Sequence, residues 1–79
     1  MKVGDIYETT TYAGVVIQQK VVGFYNSDPE GEHYVAGVLV RPEDIISLKE
    51  AGVPYKGDEE PAKCEGVLYR SKIIRKVEE

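Results

Sequence analysis

The chain carries few of the residues from which active sites are built. Among its 79 residues there is one cysteine, Cys64, one histidine, His33, one phenylalanine and no tryptophan. A single cysteine excludes an intrachain disulfide, and one Cys with one His excludes a Cys/His zinc cluster within one chain. A lone thiol fits a reducing compartment. No apolar stretch approaches the ~20 residues needed to span a bilayer. Met1-Lys2-Val3-Gly4-Asp5 is not followed by the apolar core of a secretory signal, so the expected location is the cytoplasm. Basic charge is also short. The formal net charge is −4, which argues against a generic binder of phosphate backbones. No P-loop and no GxGxxG fingerprint occurs.

This length makes one domain, residues 1–79, and a domain of this size buries only about 60% of its unfolded surface. With no disulfide or metal to help, its stability must come from packing or self-association. What the chain does contain is short, β-branched, Tyr-rich apolar runs: Val15-Val16-Ile17, Val21 to Tyr25, Tyr34 to Val40 and Val67-Leu68-Tyr69. Polar breaks with Gly and Pro separate them. That pattern is a small, mainly β domain.

Val3 to Glu8 reads as a first strand, and Thr9-Thr10-Thr11 as a turn or strand edge. Tyr12 to Tyr25 is the longest β-like stretch. Its apolar parity shifts from odd (Ala13, Val15, Ile17) to even (Val22, Phe24) across Gln18-Gln19-Lys20. Such a shift needs one extra residue or a turn. Gln-Lys is a poor two-residue hairpin, which favours one long bent strand with a bulge near Gln19. Val22 and Val38 are expected in the core. Asn26 to Gly31 is a loop, and His33 to Arg41 a strand apolar on both faces. Pro42 to Gly52 carries helix start and stop signals, with Ile45, Leu48 and Ile46 as the candidates to face the sheet. Val53 to Ala62 is a polar loop, the expected mobile region. Cys64 to Arg70 and Ile73 to Glu78 are strands, with a break at Ser71-Lys72. The order β-β-β-α-β-β predicts a small open barrel or a twisted antiparallel sheet with one short helix.

Val3-Gly4-Asp5-Ile6-Tyr7 resembles the opening of SH3-like barrels, where a Val-Gly-Asp turn leads into the first strand. Val21-Val22-Gly23-Phe24, followed by a Gly-containing loop and a strand, is similar to small phage-encoded β proteins. The first resemblance implies a barrel and the second a phage-type origin; neither implies an active site.

His33 beside Glu32 is the one imidazole base available, but no triad partners converge on it in the sequence. Cys64 reads as a small buried hydrophobe. The acids Asp28/Glu30/Glu32 and Asp58/Glu59/Glu60 lack the helix-flanked spacing of a calcium loop. The six tyrosines carry more weight, because Tyr joins a large apolar contact to a polar tip. Tyr25 and Tyr34 flank the Asn26 to Gly31 loop. Tyr69 adjoins Arg70, and Arg75 belongs to a basic C-terminal stretch. Tyr25, Tyr34, Tyr69, Arg70 and Arg75 are the candidate binding residues. No cofactor or metal is expected. The leading expectation is a non-enzymatic module that binds a protein, of the kind phage accessory proteins use against host factors. A second is a small-molecule site for an anionic or nucleotide-like ligand, built from Tyr and Arg at a homo-oligomer interface. A third, less favoured on charge, is a nucleic-acid-binding barrel.

Overall fold

The computed structural model describes residues 1–25, 33–57 and 60–77. Five strands form one antiparallel sheet: β1 Ile6–Thr10, β2 Val16–Phe24, β3 Tyr34–Leu39, β4 Glu65–Tyr69 and β5 Ile73–Val77. Their order across the sheet is β4-β3-β2-β1-β5. One helix, α1 (Pro42–Glu50), lies between β3 and β4, and single 3₁₀ turns cover Pro61–Lys63 and Arg70–Lys72. The architecture is the mainly β, β-β-β-α-β-β arrangement read from the sequence. β4 and β5 end the sheet without pairing to each other, so the barrel is open.

β2 organises the fold. Its first half, Val16 to Lys20, pairs with β1, and its second half, Gln19 to Phe24, pairs with β3. One continuous strand therefore serves two half-sheets. The register against β3 slips between Val21 and Gly23. Val22 is the extra residue, left 41% exposed while Val21 is fully buried. The parity shift is real, but it falls at Val22 and not near Gln19. Val22 is therefore not core. The misplacement has one cause: Gln19, read as a polar interruption, is itself only 2% exposed. Val38, the other expected core residue, is buried at 6% exposure.

The termini of β1 and β2 also differ from expectation. The first strand begins at Ile6, because Lys2–Asp5 forms a turn. Asp5 N–H donates to Lys2 O, the Lys2 N–H donates to the Asp5 carboxylate, and Gly4 takes a positive φ of 98°. Thr9 and Thr10 belong to β1, and Thr9 is buried. Ala13 is not on a strand face; it lies exposed in the β1–β2 turn. Gly14, at φ 80°, closes that turn by donating to Thr11 O, a conformation that favours Gly. The Asn26 to Gly31 loop falls outside the described residues, as do Asp58 and Glu59.

The core has two parts on the inner face. Ile17, Leu39, Leu48 and Cys64 form one, with Ile45 and Tyr55 packed on it. Val21, Val35 and Leu68 form the other, with Tyr7, Phe24 and Ile73. Leu48 and Ile45 dock α1 as expected, whereas Ile46 is 61% exposed. The Cys64 Sγ lies 3.0 Å from Gly57 O and 3.2 Å from Glu60 O, close enough to donate to both, which fixes the chain before β4.

α1 is held by a buried carboxylate that the hydrophobic pattern does not reveal. Asp44 is 2% exposed. It accepts from Arg41 Nε at 2.9 Å and from a second guanidinium nitrogen at 2.6 Å. Its Oδ2 also accepts the Gln18 N–H at 3.0 Å. β3 ends at Leu39, opposite Gln19, so the next rung of the ladder would lack an acceptor. Asp44 supplies it, and the bond raises the already high pKa of Arg41.

Candidate functional site: a tyrosine row beside an open seam

Tyr34 and Tyr69 are directly opposed on β3 and β4, so both project from the same, outer face. Their ring centroids are 5.8 Å apart. Tyr25 follows β2 and meets Tyr34 at 5.2 Å. Tyr12, in the β1–β2 turn, meets Tyr69 edge-on at 5.6 Å. Lys72 Nζ lies 4.7 Å from the Tyr12 ring centre. The result is a row, Tyr25–Tyr34–Tyr69–Tyr12, ended by a cation. Tyr12 is 79% exposed and Tyr34 41%. Each aromatic contact contributes about 0.5–1.5 kcal/mol beyond burial, so the row is ordered yet open to solvent.

The structure thus brings together three of the expected residues, Tyr25, Tyr34 and Tyr69. It adds Tyr12, which the sequence did not single out, and Lys72, which the sequence placed only in the basic C-terminal stretch. Tyr12 stood at the head of an apolar stretch, and no local spacing links it to Tyr69. The two arginines, Arg70 and Arg75, do not join the row. Arg75 is opposite Glu8 and pairs with it at 3.5 Å. Arg70 is half-buried and acts electrostatically on Tyr7. Tyr7 and Glu8 are neighbours on one strand and face opposite ways. Arg70 and Arg75 therefore serve opposite sides of β1.

Next to the row, the open seam between β4 and the β1–β2 turn forms a cavity of about 330 Å³. Tyr12, Tyr69 and Lys72 line its mouth; Thr9, Gln19 and Tyr55 line its floor. The floor is a chain of hydrogen bonds. Thr9 Oγ1 donates to Gln19 Oε1 at 3.1 Å, and Gln19 Nε2 donates to Tyr55 Oη at 2.9 Å. Two paired glycines make room for it. Gly37 and Gly66 are opposed on β3 and β4. Gln19 crosses over Gly37, where a Cβ would sit in van der Waals contact with it at 3.4 Å. The Tyr55 ring lies on Gly66, where a Cβ would stand 2.8 Å from its hydroxyl oxygen. Burial, chiefly, pushes the Tyr55 hydroxyl up to about 12. It stays protonated at neutral pH. Gln19 occupies one of its lone pairs, which leaves the proton available to another acceptor.

Among the described residues, no group of three or more His, Cys, Asp or Glu gathers where a metal could be held. His33 is exposed at the start of β3. No described helix is long and apolar enough to cross a membrane. Comparison of the chain with protein-family models, curated proteins and solved structures finds no match.

Proposed function

We propose that this chain is a non-enzymatic binding module that recognises another protein through the Tyr25–Tyr34–Tyr69–Tyr12 row. The single observation that carries the reading is the continuity of four rings from the end of β2 across β3 and the edge strand β4 to the β1–β2 turn, with Lys72 at one end. Exposed tyrosines held rigid by one another lose little freedom on binding and present a broad apolar surface with polar tips. The SH3-like description of the scaffold rests on the resemblance of Val3-Gly4-Asp5-Ile6-Tyr7; the sheet itself is five-stranded, antiparallel and open. A phage-type role against a host factor rests on the sequence resemblance alone.

The test is affinity capture from the lysate of the source cells, with the captured protein identified by mass spectrometry. The partner should be lost when Tyr12, Tyr34 and Tyr69 are replaced together by Ala, and retained when Ile46 on the helix is replaced. Equal capture by both variants would refute the reading. A second reading, a small-molecule site, is favoured by the cavity floor of Thr9, Gln19 and Tyr55. Native mass spectrometry showing a fixed, stoichiometric co-purifying small molecule would decide for it.

A further inference from the structure

β4 is the last strand on its side of the sheet. The Arg70 N–H donates to His33 O, and Cys64 O accepts from the Leu39 N–H. The even-numbered residues of this stretch thus turn their main-chain groups toward β3. By alternation, Glu65, Val67 and Tyr69 turn theirs outward. Glu65 shows this directly: its N–H donates to Lys56 O at 3.2 Å, in an isolated antiparallel bridge. The chain has begun to add a strand of its own to β4. Continued by two residues, that segment would set Pro54 opposite Val67. Proline has no N–H to donate, and the added strand goes no further.

Among the described residues, Val67 is therefore the first rung without a main-chain partner on this side, and it lines the cavity. Gly66, Val67 and Tyr69 form one wall and Pro54 another. The Val67 carbonyl meets the Gln19 amide at a long 3.5 Å. Charge differs along this edge. Lys72 lies at the Tyr69 end, and exposed Glu65 at the other.

We propose that the β4 edge receives a short extended segment of a partner protein. The segment continues the ladder at Val67, seats one bulky apolar side chain in the cavity, and sets an acidic side chain against Lys72. This rests on the binding-module reading and specifies the partner's chemistry. Main-chain bonds at an open edge give affinity for any extended chain, and the pocket selects the side chain. Lys72 at one end and Glu65 at the other fix where the acid lies.

The test uses random hexapeptides in a displayed library selected against the intact chain. Selected peptides should carry an apolar residue within two positions of Asp or Glu. At saturation they should slow hydrogen exchange at the Val67 amide at least tenfold. Val67→Pro should weaken them at least tenfold, because proline is tolerated on an edge strand whose N–H faces outward but removes the donor. Should that variant fail to fold, N-methylation of the peptides, one amide at a time, must find one position that costs at least tenfold. Peptides that bind Val67→Pro as well as the parent, or that tolerate every N-methyl group, overturn strand addition and leave the binding module standing. If no hexapeptide binds while partner capture still depends on the tyrosines, strand addition alone falls. If capture is also independent of the tyrosines, both readings fall.

Discussion

Gly66→Ala separates a merely flexible glycine from one that the site requires. An added methyl group would overlap the Tyr55 ring edge, 2.8 Å from its hydroxyl oxygen. The backbone at Gly66 is ordinary strand, so the substitution carries no φ penalty. The cost is the displacement of Tyr55. Overpacking at a filled site costs about 1–3 kcal/mol. Tyr55 packs on the Leu39/Leu48 cluster and bonds Gln19, and losing a typical hydrogen bond adds roughly 1 kcal/mol. The expected loss is about 2–4 kcal/mol in urea denaturation. A spectroscopic signature accompanies it. In the parent, one tyrosine should titrate near 12; in Gly66→Ala it should fall toward the ordinary value of about 10. The sign of the pH dependence follows. The raised pKa means that the native state holds this proton more tightly than the unfolded chain does. The parent keeps that stabilisation below pH ~10 and loses it as pH rises toward 12, and the variant should show a weaker loss over that window. A Gly66→Ala protein as stable as the parent, with one tyrosine still titrating near 12, would refute the account of the cavity floor.

Asp44→Ala removes a two-pronged bond to Arg41 and the acceptor for Gln18 N–H; breaking a buried charged pair costs roughly 3–5 kcal/mol, reduced here because Arg41 is 34% exposed. Thermal unfolding should show a fall in melting temperature well above that of exposed Glu43→Ala, and equal effects would count against Asp44 as the clasp of α1. Val38→Ala should cost ~1–3 kcal/mol in chemical denaturation, whereas Val22→Ala, at the exposed bulge, should stay within about 0.5 kcal/mol. Reversal of that ranking would mean that the bulge is misplaced.

The element order was legible because it rests on local signals. β-branched runs mark β2 and β3, Pro42 with Glu43 and Asp44 marks the start of α1, and Ser71-Lys72 marks the break before β5. The parity shift in β2 was legible too, since one extra residue must flip the faces. Its position was not. A buried glutamine looks identical to an exposed one until its partners are known, and those partners, Thr9 and Tyr55, sit on separate elements. Asp44 is hidden in the same way: an acid in a first helical turn is ordinarily exposed, and only the early end of β3 makes it an acceptor for the sheet. Tyr25 and Tyr34 could be linked because they flank one loop. Tyr12 and Tyr69 could not, because the contact exists only once the sheet has bent along β2.

The open seam and the buried polar chain have a common origin. Leucine at position 19 would fill the inner face with apolar volume and join Ile17 to Val21 in a single core. Glutamine there divides the core in two and holds a hydrogen-bonded floor beneath the gap. The paired glycines, Gly37 and Gly66, leave room for Gln19 and Tyr55 in that floor. Glutamine at position 19 sacrifices apolar packing in a domain with little core to spare. An apolar side chain at position 19 would replace the hydrogen-bonded floor, whereas any side chain at position 66 would displace Tyr55; glutamine and the glycines keep the floor in place next to the tyrosine row and an edge whose own added strand stops at Pro54. A scaffold that gives up apolar packing beneath one cavity accords with the proposed entry of a partner's side chain into it.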